Sequence, residues 1–501
     1  MVQDKIFFAF LICFFVSVAE IEGWRTFWKG RRKGGNLAAP HSDLLRHELP
    51  PEQWFDQILD HFNENNPSIW KQRYYVNDTF YKPGGPVFLM IGGEGEATPI
   101  WMVQGAWIHY AQEMNALCFQ VEHRFYGKSR PTKDLSVESL SFLSSEQALA
   151  DLANFIKAKN SEYKFDSNVK WVAFGGSYPG SMAAWLREKY SDLVHGSISS
   201  SGPLLAEADF LEYYDVVKNS LASYSAACVN AVQKSMQQVE ILLKRMIGQR
   251  SLNQKFKLCD PVENSVDNIM DMSNLFENLA SNFAGVVQYN KDNSPHATIT
   301  IDEVCDIMVN DTLGPQIDRL AAVNELLLNQ SKEKCLDYRY DKMVREMQNT
   351  SWDSNVAEGA VQWTYQTCNE FGFYQTSNQK EKLFGDRFPL VFFIKQCTDI
   401  YGREFDADSL SSSIDKTNKF YGALNPKTTN VLYVHGSIDP WHALGITEST
   451  DPKMPTIFID GTAHCANMYE PKDSDFPQLK QARNTIREFL RTLLEDDELL
   501  I

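Results

Sequence analysis

The segment Phe174-Gly175-Gly176-Ser177-Tyr178-Pro179-Gly180 constrains this chain more than any other. An apolar run, Trp171-Val172-Ala173-Phe174, leads into it, and a helix-patterned stretch from Pro179 to Tyr190 leads out. A strand that turns sharply into a helix at a serine pushes a hydroxyl out to where a base can reach it, and adjoining glycines let the backbone come close. The pattern is not a full Gly-x-Ser-x-Gly, because Pro179 takes the second place after Ser177 and glycine follows at 180. Proline fits the first turn of a helix, where its missing N–H costs nothing, and the helix N-terminus favours negative charge at the nucleophile.

The flanking sequence repeats that alternation. Val87 to Ile91 stops at Gly92-Gly93, and Ala116 to Glu122 is a second short apolar run; both read as strands buried on two faces, as in a parallel sheet. Ser144-Ser145-Glu146-Gln147 has the Ser-x-x-Gln spacing of a helix start, and Ala148, Leu152, Phe155 and Ile156 carry an apolar stripe to about Lys159. His195 to Ser200 resembles another strand, as do Asn430 to Val434 and Pro455 to Ile459, and an amphipathic helix closes the chain at 477–495. Strand, helix, strand, helix predicts an α/β fold.

From about 205 to 390 the apolar spacing turns helical, as at Val239, Leu242, Leu243 and Met246, which predicts an inserted helical domain. At 501 residues the chain exceeds what one core organises. The expected layout is a leader at 1–19, an N-terminal segment at 20–53, a core part at 54–204, a helical insertion at 205–400 and a second core part at 401–501.

Ile6 to Val18 is almost unbroken apolar sequence, with Lys5 before it and Ser17-Val18-Ala19 at its end. It is too short for the roughly 20 residues that span a bilayer, and it reads as a secretory leader. Of the nine cysteines, Cys13 falls in the leader. Cys118, Cys228, Cys259, Cys305, Cys335, Cys368, Cys397 and Cys465 remain, an even set that allows up to four disulfides in an oxidising compartment. The absence of any Cys-x-x-Cys pair argues against zinc, and no cofactor or metal is expected. Asn77, Asn310, Asn329 and Asn349 each open a glycosylation sequon. Lys29-Gly30-Arg31-Arg32-Lys33 lies in a segment that reads either as a pro-segment removed by a processing protease or as a flexible tail. A formal charge of −17 argues against nucleic acid as a partner. The expected partners are peptides, with no membrane once the leader is gone and a homodimer left open, and the expected location is outside the cell or in a lysosomal or endosomal lumen.

A serine hydroxyl is a weak nucleophile and needs a base oriented by a carboxylate. On a sheet of this kind the chain order is nucleophile, acid, base. Asp439, in His435-Gly436-Ser437-Ile438-Asp439-Pro440-Trp441, follows one predicted strand, and His464, in Gly461-Thr462-Ala463-His464, follows the next. Most other histidines precede Ser177 or any plausible acid, and His442 shares the loop of Asp439. The oxyanion hole is expected from the N–H groups of Tyr178 and Gly93, the latter in Gly92-Gly93-Glu94-Gly95. Those glycines lack the Gly-Lys-Ser/Thr ending of a phosphate loop.

The ordered series Trp54-Phe55-Asp56-Gln57, Asp60-His61-Phe62, Ile91 to Glu96, Glu122-His123-Arg124-Phe125-Tyr126-Gly127-Lys128-Ser129, Leu143 to Ala148, Ser177 to Trp185, Asp439-Pro440-Trp441 and Gly461 to His464 resembles the S28 serine peptidases. That family includes lysosomal prolyl-Xaa carboxypeptidase, dipeptidyl peptidase II and thymus-specific serine protease, and the glycine-rich 92–95 stretch and Ser181-Met182-Ala183-Ala184-Trp185 look nearest the thymus-specific branch. Ser181 departs from the carboxypeptidase, which has methionine there. The resemblance implies an α/β-hydrolase core with a helical cap inserted after the sixth strand, acyl transfer through a seryl intermediate, and preference for proline before the scissile bond. Trp441 would wall the proline pocket and Met182 would line the substrate site. An exopeptidase also has to hold a chain terminus by charge, and Glu94 would suit an amino terminus. Two other readings stay open: a lipase or carboxylesterase on the same fold, and a catalytically silent binding protein. Activity near pH 5 would require His464 to titrate below the ordinary ~6.5.

Overall fold

The computed structural model describes residues 27–40, 48–291 and 298–495. The leader assigned to residues 1–19 lies outside them. Twelve strands are found among these residues: β1 (Phe27–Trp28), β2 (Arg31–Arg32), β3 (Gln53–Ile58), β4 (Ile69–Asn77), β5 (Val87–Ile91), β6 (Leu117–Val121), β7 (Trp171–Gly176), β8 (Gly196–Ser200), β9 (Glu207–Asp209), β10 (Gly372–Tyr374), β11 (Val431–Gly436) and β12 (Thr456–Ile459). Eight of them form one sheet in the order β12-β11-β8-β7-β5-β6-β4-β3.

Six neighbours from β12 to β6 run parallel, while β4 is antiparallel to β6 and β3 antiparallel to β4. The parallel strands are shut from solvent because helices cover both faces: every residue of β5, β6 and β11 is buried. Leu89, Phe119 and Trp171 face one core, shared with the insertion, and Phe88, Val172 and Leu432 face the other, closed by Trp107 and Ile486. This order, with a single strand reversed against the parallel set and a nucleophile turn after the fifth strand from the β3 edge, is an α/β-hydrolase sheet.

The helix Ser145–Tyr163 starts where its cap spacing places it, with the Ser144 side chain accepting from the Gln147 N–H at 3.1 Å. It runs past Lys159 because Lys164, in the left-handed region, is the residue that stops it. The closing helix spans Pro477–Glu495 and buries Leu479, Ala482, Ile486 and Leu490.

Between β8 and β11 the chain leaves the sheet for a mostly helical excursion, from Glu212–Tyr224 through Ala407–Tyr421, and re-enters only at Val431. Three disulfides staple it: Cys228–Cys305, Cys259–Cys335 and Cys368–Cys397. The first two each close loops of more than 70 residues (77 and 76 apart), worth about 4 kcal/mol apiece by chain entropy. The four bridges the cysteine count allows are not all made. Cys118 on β6 and Cys465 beside His464 are free thiols packed in the apolar core on the opposite face of the sheet.

Asn310, Asn329 and Asn349 are exposed, as a glycan requires. Asn77 is the exception: it is half-buried at the end of β4, and its Nδ2, the atom a glycan would join, donates to the Met102 carbonyl at 2.6 Å. Among the described residues, no helix is long and apolar enough to cross a membrane.

Candidate active site

The end of β7 delivers Ser177. Its backbone lies at φ 66°, ψ −136°, a conformation that strains any residue with a Cβ, and the helix Tyr178–Lys189 starts directly after it with Pro179 in the first turn. The Ser177 N–H donates to the Ser200 carbonyl on β8 at 2.9 Å, and Gly180 N–H donates back to the Ser177 carbonyl at 2.7 Å. The turn is thereby fixed from both sides.

Asp439 leaves the end of β11 and caps a short 3-10 turn, Pro440–Leu444, accepting from the Trp441 N–H on Oδ1 at 3.1 Å. The same Oδ1 accepts from His464 Nδ1–H at 2.9 Å. His464 follows β12, and its backbone N–H donates to the carbonyl of Gln288, the last residue of the cap helix Ile269–Gln288. The insertion therefore positions the histidine. Burial pulls the His464 imidazole down, but the charge and hydrogen bond of Asp439 outweigh it and hold the group well above its ordinary value. Burial pushes Asp439 up, and His464 brings its carboxyl below the usual range.

Acid and base are thus in contact, whereas no hydrogen bond joins Ser177 to His464. The Ser177 Oγ accepts from Asn36 Nδ2 at 3.2 Å. His464 Nε2 is buried and has no hydrogen-bond partner among the described residues. All three groups are shut from solvent, Ser177 at 3%, Asp439 at 0% and His464 at 1% exposure.

Tyr178 offers its backbone N–H at the helix start, and its hydroxyl is held by His123 Nε2 at 3.1 Å and Gln366 Nε2 at 3.2 Å. His123 donates through Nδ1 to the Arg124 carbonyl at 2.7 Å, and burial pushes the imidazole down to about 4, so its Nε2 accepts from the tyrosine. Gly93 follows β5 and lies on the nucleophile turn; a Cβ there would come within 2.2 Å of Pro179 Cγ. Glu94 is buried beside it, with Oε1 accepting from the Asn36 N–H at 2.9 Å, and burial drives its carboxyl up despite Arg31 and His464 nearby.

Trp441 is buried among Phe210, Tyr213 and Phe373, with ring centroids 5.7, 5.9 and 5.4 Å away, and its Nε1–H donates to Gln288 Oε1 at 2.9 Å. Met182, in the helix that follows Ser177, is 1% exposed within the apolar core, as closely buried as Trp441. His442 donates through Nδ1 to the Asp439 carbonyl at 2.7 Å and packs edge-on against Phe458, so it braces the loop.

Four residues at the site carry no signal in the sequence: Asn36, Gln288, Tyr289 and Glu358. Gln288 accepts from both Trp441 and the Tyr213 hydroxyl. Tyr289 stands edge-on to the His464 ring at 6.1 Å and donates its hydroxyl to Asn36 Oδ1 at 2.7 Å. The segment 27–40, read as a pro-segment or a tail, is seated in the cleft rather than trailing from the fold.

A family model described as serine carboxypeptidase S28 matches residues 57–486. A Caenorhabditis elegans protein named as a serine protease is 37% identical over 484 residues, 93% of each chain. Thymus-specific serine protease of Mus musculus is 34% identical over 459 residues, covering 89% of this chain and 88% of its own. Lysosomal Pro-X carboxypeptidase of Homo sapiens is 28% identical over 426 residues, 82% of each.

Proposed function

The chain belongs to the serine carboxypeptidase S28 family of serine peptidases, and from that premise we propose an exopeptidase that cuts after proline through a seryl acyl-enzyme. The observation that carries the reading is the Asp439–His464 pair beside a serine on a strained strand-to-helix turn. In this reading His464 Nε2 takes the Ser177 proton as Oγ attacks the peptide carbonyl, and Asp439 stabilises the imidazolium that forms. The N–H groups of Tyr178 and Gly93 receive the developing oxyanion. His464 then protonates the leaving amine and activates the water that frees the acyl group.

The proline preference is supported by the aromatic cluster around Trp441, whose ring faces suit a pyrrolidine, and by the relative named for Pro-X. Profiling an unbiased peptide library by mass spectrometry tests it: cuts after proline, confined to one chain end, are expected, and cuts scattered through peptide interiors would refute it. The same assay against ester substrates separates the esterase reading. Passage through the secretory route to the outside or to a lysosomal lumen is supported by the three disulfides and the exposed sequons.

Glu94 is proposed to hold a substrate amino terminus. Its carboxylate already receives a backbone N–H in the cleft, and an α-ammonium group would gain more from it. Glu94→Gln should raise KM for free-amine peptides about tenfold while leaving N-acetylated peptides unchanged. Equal effects on both would discard the assignment.

The pH profile follows from His464. It is a base only when neutral, and Asp439 holds it protonated to higher pH than a free imidazole. On the acid side kcat/KM should fall about tenfold per pH unit, with that limb set above pH ~6.5. The depressed pKa that pH 5 activity requires is the opposite of this shift. A profile flat from pH 7 down to pH 5 would contradict the prediction.

A further inference from the structure

Residues 27–40 begin as the hairpin β1–β2 and return across the cleft between the sheet rim and the insertion. Within 28–36 only Lys33 and Gly34 are exposed. A stretch with so many cations is ordinarily a solvated tail, so its burial requires a built counterpart.

That counterpart is centred on Glu358. The Arg31 guanidinium meets its carboxylate end-on, Nη1 to Oε1 at 3.0 Å and Nη2 to Oε2 at 2.9 Å. Arg31 also donates through Nε to the Glu94 carbonyl at 2.9 Å and through Nη2 to the Glu358 carbonyl at 3.1 Å. A planar fork matched to a carboxylate on one edge and carbonyls on the other is a guanidinium site, one that a lysine ammonium would fill poorly. The backbone is shaped to it: Gly359 has φ 136°, and a Cβ there would stand 2.1 Å from Arg31 Nη2. Burial alone would raise the Glu358 carboxyl, and Arg31 reverses the shift, so an empty subsite favours recovery of a cation.

The rest of the segment covers the reacting groups. Asn36 is held on three sides: its Nδ2 donates to Ser177 Oγ, its Oδ1 accepts from Tyr289 and from the Arg32 N–H, and its N–H donates to Glu94. At the hairpin turn, the Gly30 carbonyl accepts from Gln288 Nε2 at 3.1 Å, and a Cβ on Gly30 would lie 2.5 Å from the Trp441 ring. What meets the serine is an amide N–H and not an electrophilic carbonyl, so the segment occupies the site without presenting a bond to cut.

The geometry points to a guanidinium subsite formed by Glu358 and the Glu94 carbonyl, filled here by Arg31, so that residues 28–36 act as a tethered peptide that keeps the cleft closed. The ligand class is an arginine-bearing peptide, supplied by the chain itself when the segment is seated and by a substrate when it is displaced. This rests on Ser177 being the nucleophile. If the closed form holds nine-tenths to 99% of molecules, access to the serine is reduced about 10- to 100-fold.

The test uses the full chain and a fluorophosphonate probe, which reports on Ser177 without any peptide substrate. Arg31→Ala and, independently, Asn36→Ala should each speed labelling at least about tenfold, a gain that misfolding cannot imitate. In the Arg31→Ala protein, a synthetic peptide of residues 27–36 should slow labelling again, and the same peptide with alanine in place of its arginine should not. Adding Glu358→Gln should abolish that protection. Labelling no faster in either variant than in the parent overturns the tethered-peptide reading alone, and protection that survives Glu358→Gln overturns the subsite. Absence of labelling in every protein would remove the nucleophile, and the inference with it.

Discussion

Replacing Asp439 by asparagine should lower kcat by about 10⁴-fold while KM moves little, measured with residues 27–36 unseated by Arg31→Ala in both proteins. The size of the effect comes from charge rather than from geometry. Asp439 Oδ1 receives two N–H groups, from His464 and from the Trp441 backbone, and an asparagine oxygen in that place would keep both. The imidazole would then keep its place, but wherever the amide turns its NH2 toward the ring, Nδ1 has to accept and Nε2 carries the proton, the wrong tautomer for a base. What it loses is the carboxylate that offsets burial and holds its pKa up. A fully buried imidazolium with no counter-charge is costly, and that is the species formed as Ser177 gives up its proton. The acid limb of the pH profile should therefore move to lower pH in the variant even as the plateau collapses. Loss of less than tenfold, or an acid limb that stays in place, would mean that Asp439 only braces the loop.

The parts of this molecule that are legible in its sequence are those whose burial is apolar. Val87–Ile91, Leu117–Val121 and Val431–Gly436 are strands covered on both faces, and an unbroken apolar run has no other good solution at that length. Ser177, Asp439 and His464 stand out because each follows such a run. The edge strand β3 and its neighbour β4 escape notice because polar residues sit among their buried positions. Gln57 donates to Gln72 at 2.9 Å, and Arg73 is paired with Glu122 inside the protein, so the pattern reads as surface. Arg31 is hidden for the same reason at longer range, since its partner lies 327 residues away. Asn36 and Ser177 are 141 residues apart. No local rule turns a basic cluster into the contents of a cleft.

Arg124→Ala should cost about 3–5 kcal/mol of folding stability, the largest loss expected from one side chain here, read as a shift of the urea unfolding midpoint with the disulfides intact. Arg124 belongs to the same sequence block as His123, which touches the nucleophile helix, yet its own contacts are structural. It pairs with Asp151 through Nε to Oδ2 at 2.7 Å and Nη2 to Oδ1 at 2.6 Å, with both side chains excluded from water. Through Nη1 it also donates to the carbonyls of Leu59 at 3.0 Å and Phe142 at 2.9 Å, tying the end of β3 to the loop before the helix Ser145–Tyr163. His61 closes the cluster with Nε2 at 2.7 Å from Asp151. Removing the guanidinium leaves a buried carboxylate with only His61 beside it and takes the donor from two partly buried carbonyls, and the cost is mainly theirs. Arg124→Met combined with Asp151→Leu should therefore destabilise less than Arg124→Ala alone, because no buried charge is then left unpaired. The folded fraction of the single variant should keep its kcat, since the triad hangs from β7, β11 and β12 and not from this edge of the sheet. If the single variant lost under 1 kcal/mol, or if the double variant proved the weaker of the two, the cluster would be incidental to holding β3 and β4 against the core.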